Sequence, residues 1–350
     1  MRDPRIALLA LAFLGGPAVA QDYAHAPFRA HPVTLAQVAA LERIAAAARG
    51  LAVLSEPEPE AAEAEDGDEG EAEEGLAAAL PLFAASLSTA APEVAAALPE
   101  AVGEMLEAVE EGENPAGPAA EALALADQAR AALLPAELAD SRPFQAALMA
   151  ALLLDEGGVA ESYEEASEGD AAAYAIGWAA LQRVKALWAG LKAKDAPETP
   201  AETVAEAEAM IAILDGLFPG ETPPDSLSPD PEEAEAPSHR LVGLLEVVAD
   251  ANLYPGRDLA GAATLVAGLA EKGCADLAAG AGPMGMETLA IAAAYHDQTL
   301  ADTLGVIAPE AAEATEEALE PLEDGAVEEM AEACPALLAG LQAGGAALTQ

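Results

Sequence analysis

Basic and aromatic residues are scarce in this sequence of 350 residues. Lysine and arginine number 14 together, against 62 aspartates and glutamates, so the formal net charge is −48. Nucleic acids and anionic membrane surfaces are recognised through basic patches, and this charge balance argues against both as partners. With aromatics at 3%, the core has to be built from aliphatic side chains and alanine. An acidic, lysine-poor surface suits salty surroundings, because cations there screen the repulsion.

Strand signals are also missing, since runs of β-branched and aromatic residues with a period of two do not occur. Hydrophobic residues make up 53% of the chain and recur at helical spacing, which predicts an all-α protein. We expect a helical bundle or an irregular helical array in two modules joined by acidic, proline-rich linkers. No fixed period of a known helical repeat is present.

Two segments have the composition of linkers. Residues 55–75 contain eleven acids and no base, and residues 219–239 contain six prolines and six acids. Neither segment can bury enough apolar surface to offset the entropy of ordering. The expected organisation is a signal peptide (1–20), an N-terminal helical segment (21–54), an acidic disordered linker (55–75), a middle helical domain (76–218), a second linker (219–239) and a C-terminal helical domain (240–350).

The first twenty residues have the three parts of a secretory signal peptide. Arg2 and Arg5 are basic, residues 6–14 are apolar, and residues 18–20 read Ala-Val-Ala. We therefore expect a periplasmic or secreted protein. No later segment has the composition of a stable membrane span, because the longest uncharged run is mostly alanine.

Several helices can be placed from their ends and periodicity. Thr34 and Gln37 have the spacing of a capping box, and Asp170 precedes a long apolar stripe as a candidate N-cap. Further helices are expected over residues 201–218, 240–253, 258–272, 286–306 and 327–348.

Only two cysteines occur, Cys274 and Cys334. Their spacing is not that of a metal site, and in an oxidising compartment such a pair predicts a disulfide, with two free thiols as the alternative.

Catalytic motifs are missing as well. The four histidines form no helical metal-ligand motif, and no serine or cysteine nucleophile motif is present. His296 precedes Asp297, but sequential neighbours do not share a helix face. The glycine-rich run at residues 280–285 matches a dinucleotide fingerprint only in letters, because no strand precedes it. We expect no cofactor and no catalysis. The alternative is a catalytic triad formed by residues that are distant in sequence.

Two groups of residues are candidates for binding. The carboxylates Glu100, Glu104, Glu107 and Glu111 recur on a helix and could hold a divalent cation, or simply form a solvated face. Trp178, Arg183 and Trp188 lie on the helix after Asp170 and could contact a partner, or form the middle of the core. We therefore predict an exported, non-catalytic protein that binds or organises a cell-envelope partner. The alternative is a carboxylate-based binder of divalent cations.

Overall fold

The computed structural model describes residues 26–54, 71–155, 157–193, 199–224, 226–323 and 325–349. Its α-helices are α1 (Pro27–Ala30), α2 (Pro32–Leu51), α3 (Glu71–Ala79), α4 (Ala84–Ala90), α5 (Pro92–Glu110), α6 (Ala116–Leu133), α7 (Ala136–Ala139), α8 (Arg142–Leu154), α9 (Val159–Glu168), α10 (Ala171–Ala193), α11 (Ala201–Leu217), α12 (Glu232–Ala249), α13 (Leu259–Ala278), α14 (Gly282–Thr299), α15 (Ala301–Ile307), α16 (Pro309–Glu323) and α17 (Val327–Ala347). Short 3₁₀ turns cover Leu80–Leu82 and Pro255–Arg257. No β-strand occurs in these residues, which confirms the predicted all-α class. The predicted signal peptide and residues 55–70 of the first linker lie outside them.

Helix α2 is the central helix of the fold. It is buried on most of its circumference and packs against α6, α10 and α8. Alanine makes this possible, because small side chains let neighbouring helix axes approach closely. At Gly50 the approach is tighter still, since a Cβ placed there would lie 2.4 Å from the Ala175 carbonyl oxygen of α10. The helix after Asp170, which the sequence offered as the middle of the core, is α10, and it packs against α2, α8 and α9.

Helix α10 begins where the sequence predicted. The Asp170 carboxylate accepts hydrogen bonds from the backbone N–H groups of Ala172 (2.6 Å) and Ala173 (2.9 Å). Asp170 is therefore the N-cap, because it satisfies two of the four N–H groups that a helix start leaves without partners.

The C-terminal helices pack pairwise, α13 against α14 and α17, and α16 against α17. Cys274 of α13 and Cys334 of α17 have their sulfurs 1.98 Å apart, so the predicted pairing is confirmed. Helix α14 also packs against α4 and the 3₁₀ turn at Leu80–Leu82, which connects this group to the helices around α2. The buried apolar side chains consequently form one continuous core from Phe28 to Leu341.

Helix α12 changes the expected boundary between the second linker and the C-terminal helices. It begins at Glu232, inside the segment predicted as a linker, and it packs on α8, α9 and α11. Ala234, Pro237 and Ser238 are buried there, which outweighs the acidic and proline-rich composition of this stretch. The irregular connection is therefore confined to the residues before Glu232.

Two local predictions are wrong. Thr34 does not cap α2, because the helix begins at Pro32, whose fixed φ suits the first helical position. The helix expected over residues 286–306 is divided at Leu300 into α14 and α15. Just before the division the Thr299 hydroxyl donates to the Tyr295 carbonyl oxygen at 2.5 Å, a bond of the kind that bends helices.

Candidate functional site

A cavity of about 620 Å³ lies between α2, α8, α9, α12 and α14. Its volume falls within the roughly 300–1,000 Å³ typical of small-molecule sites. The segment Leu253–Pro255, after α12, forms a further part of the wall. Segments of five helices therefore border one half-open space.

The deep part of the cavity is apolar. Its wall includes Phe28, Leu35 and Ala39 on one side and Ala147 and Ala150 of α8 on the other, all of them buried. Alanine leaves space where a larger residue would fill it, so the alanine content that brings α2 close to its neighbours also leaves this cavity open. Such a surface suits an apolar ligand group, because burying apolar area is favourable.

The mouth of the cavity is acidic. Five carboxylates line the cavity: Glu164, Glu235 and Asp297 are exposed at the mouth, and Asp155 and Glu161 are partly buried. Among the described lining residues the groups that can carry positive charge are Arg43 and His239. His239 lies 3.5 Å from Glu235, measured from Nε2 to Oε1, and both side chains are about half exposed. The field at the mouth is therefore negative, and the low-dielectric walls strengthen it.

Tyr295 of α14 gives the cavity a neutral polar group. Its hydroxyl donates to the Pro32 carbonyl oxygen at 3.2 Å, so it fixes α14 against the start of α2. Burial, together with the nearby Asp155 carboxylate, raises the pKa of the Tyr295 phenol above its ordinary value. The phenol consequently stays protonated at neutral pH and offers no further negative charge.

A buried carboxylate supports the wall segment Leu253–Pro255. Glu246 of α12 accepts a hydrogen bond from the Leu253 N–H at 3.2 Å and pairs with Arg257 Nε at 2.9 Å. Burial raises the pKa of Glu246 in spite of these two contacts, which favour its charged form. Glu246 thus stabilises the segment that forms one side of the cavity wall.

The carboxylates proposed for a divalent cation do not converge. Glu100, Glu104 and Glu107 are exposed along α5, and Glu111 follows its last turn. In the part of the chain that the structure describes, no three His, Cys, Asp or Glu side chains are grouped so as to hold a metal ion. The geometry therefore gives no support to the cation-binding alternative in these residues.

The proposed partner-binding residues lie within the core. Trp188 is buried, Trp178 is partly buried against the core, and Arg183 forms a two-point ion pair with the buried Glu42. The Nε to Oε2 distance in this pair is 2.8 Å, and Arg130 approaches the same carboxylate at 3.7 Å. The structure places these three side chains where they stabilise the fold, which is the alternative that the sequence left open.

His296 and Asp297 are in contact, against the expectation from their adjacency. His296 Nδ1 lies 3.0 Å from Asp297 Oδ1, but the imidazole is fully buried and is not part of the cavity wall. A substrate in the cavity would therefore not reach the ring. The glycine-rich run at residues 280–285 covers the end of the connection after α13, where Gly280 has a φ of +81°, and the first turn of α14, which begins at Gly282.

Most of the cavity residues could not be found from the sequence. They come from short stretches of several helices, and no local spacing marks Arg43, Asp155 or Glu164 as neighbours. The one available signal was the run Tyr295-His296-Asp297, whose first and last members line the cavity. The member of that run with the chemistry of a catalytic base is His296, and it is not part of the cavity wall.

None of the described helices is both long and apolar enough to cross a bilayer. Comparisons with protein-family models, curated proteins and solved structures find no match to this chain.

Proposed function

We propose that this protein is an exported, non-catalytic binding protein whose ligand occupies the cavity between α2, α8, α9, α12 and α14. The observation that carries the proposal is the cavity itself, which combines a suitable volume, a buried apolar wall and exposed carboxylates at the mouth. Sites for small molecules have this construction.

Binding is favoured over catalysis by the groups that the described wall contains. A nucleophile needs a base within hydrogen-bonding reach, and catalytic acids and bases are usually kept in a protected environment. The histidine at this mouth, His239, is about half exposed and already pairs with Glu235. Export rests on the signal-peptide pattern at residues 1–20, and so does the proposed place of action in the periplasm or outside the cell. An envelope partner that receives or delivers the ligand remains part of the proposal.

The test is calorimetric titration with 1-octanol, an uncharged probe that fills apolar space. We expect saturable binding of one molecule to the unmodified protein. The variants Ala36→Leu and Ala151→Leu place larger side chains on α2 and α8 at positions lining the cavity, and each should weaken binding at least about tenfold.

Ala212→Leu is the matched control, because Ala212 is exposed on α11 and lies outside the cavity wall. Circular dichroism verifies that all three variants remain folded. Octanol binding that is absent, or equal in the cavity variants and the control, would remove the proposal. Native mass spectrometry of the protein from its own envelope extract would then identify the natural ligand or partner.

A further inference from the structure

We infer that the ligand of this cavity is an amphiphilic organic cation, an apolar chain or ring system that carries an amine or quaternary ammonium group. The inference rests on the proposed function and names the ligand class. It follows from the arrangement of charge, aromatic rings and apolar surface around one half-open cavity.

The first step is the separation of polarity along the cavity. Phe28, Leu35 and Ala147 are at most 7% exposed, whereas Glu164 and Glu235 at the mouth are exposed. An amphiphile would place its apolar part on the buried wall and its head group among the carboxylates. A wholly polar ligand would leave the buried wall without apolar contacts.

The second step is the sign of the charge. Five lining carboxylates face one arginine and one histidine. The Glu235 carboxylate is shared with His239, while the exposed Glu164 carboxylate takes part in no ion pair within the described residues. An anionic head group would be repelled here, and a cationic head group would be attracted.

The third step is the aromatic content of the wall. The chain has twelve aromatic residues, and three of them, Phe28, Tyr254 and Tyr295, line this cavity. Aromatic faces attract cations, most strongly ammonium groups that have lost part of their hydration. Phe28 and Tyr295 lie in the buried wall, and the Phe28 ring already carries the Arg29 guanidinium at 5.7 Å from its centroid. The partly buried Tyr254 is therefore the ring that we assign to the cationic head group, and the other two rings supply apolar contact area.

The experiment compares three probes with the same eight-carbon tail, octyltrimethylammonium, 1-octanol and octyl sulfate. The two ionic probes are titrated calorimetrically below their micelle concentrations and octanol below its solubility limit, in about 0.15 M NaCl, which screens weak association with the acidic surface as a whole. We expect the cation to bind at least about tenfold more tightly than the alcohol, and the sulfate to bind most weakly.

The charge at the mouth is then removed by the double substitution Glu164→Gln and Glu235→Gln. Its matched control is Glu100→Gln with Glu107→Gln, which makes the same change in net charge on the exposed face of α5. Affinity for the cation should fall about tenfold or more in the mouth variant and stay within about twofold in the control. Octanol binding should be the same in both.

The outcomes separate the two proposals. If octanol binds in the cavity and the cation binds no more tightly, or if the control loses as much affinity as the mouth variant, the cationic ligand class is wrong and the binding function stands. If none of the three probes binds saturably, the proposed function fails together with the inference.

Discussion

At the scale of single residues, the protein uses its few arginines as internal counter-ions. Arg183 and Arg130 approach the buried Glu42, and Arg257 pairs with the buried Glu246. A carboxylate that is removed from water is costly unless it is paired and hydrogen-bonded. In a chain of net charge −48, arginines therefore stabilise two of the buried carboxylates, whereas the buried Glu287 accepts hydrogen bonds from Gln37 Nε2 and the Ser86 N–H instead.

Glu42→Gln tests this assignment. Loss of the carboxylate leaves the partly buried Arg183 guanidinium without its two-point partner, and we expect the free energy of unfolding to fall by about 3 kcal/mol. Urea denaturation followed by circular dichroism measures the change.

Glu107→Gln serves as the comparison, because it removes the same charge from an exposed position on α5. Its stability should change by less than about 0.5 kcal/mol. Equal denaturation midpoints for the two variants would show that the buried pair does not stabilise the fold.

At the scale of helices, glycine positions mark the closest crossings. Helices α13 and α14 meet at Gly273 and Gly285, where a Cβ on Gly273 would lie 2.6 Å from Leu289 Cγ and 3.0 Å from the Gly285 carbonyl oxygen. The sequence showed Gly285 only as part of a glycine-rich run. Its role in packing α14 against α13 became visible from the structure.

Gly273→Ala should destabilise the protein by about 1–3 kcal/mol, because the added methyl group forces the two helices apart. Gly268→Ala, five residues earlier on the exposed side of α13, should stabilise it by up to about 1 kcal/mol, since no neighbouring atom lies within 4 Å of the added Cβ. Denaturant midpoints of the two variants check both signs. A stabilising Gly273→Ala would contradict the close packing of this crossing.

Helix boundaries could be predicted where a single residue determines them. Asp170 caps α10 as its sequence position indicated, and Asp258 caps α13 by accepting a hydrogen bond from the Gly261 N–H at 2.9 Å. The start of α12 could not be predicted, because burial of Pro237 and Ser238 against other helices outweighs local composition. A local signal thus located the cap of α10, whereas the capping box predicted at Thr34 is not formed and tertiary contacts decided the start of α12.

At the scale of the whole molecule, compaction works against the repulsion of a strongly anionic surface. Apolar residues make up 53% of the chain and form one continuous core, which supplies the opposing free energy. Repulsion of this kind weakens as the Debye length shortens, to about 8 Å at 0.15 M salt. Stability should therefore depend strongly on ionic strength.

We expect the midpoint of thermal unfolding to rise as NaCl increases from 10 mM to 150 mM, with smaller gains above that range because the exposed charges are by then largely screened. Circular dichroism at 222 nm follows the transition. Sucrose at equal osmolality separates screening from general solute exclusion. A midpoint that falls or does not change with salt would show that surface repulsion does not limit stability.

The sequence by itself determined the helical class, the pairing of Cys274 with Cys334 and the acidic surface. Each of these follows from composition, local periodicity or the count of a rare residue. Only the tertiary structure decided that α2 is central, that Trp188 lies in the core and Arg183 pairs with the buried Glu42, and that an apolar cavity opens beside Glu164 and Asp297. The physical reason is that a cavity arises from contacts between distant segments. The local sequence of an alanine-rich helix that packs on several sides does not indicate which helix each side will contact.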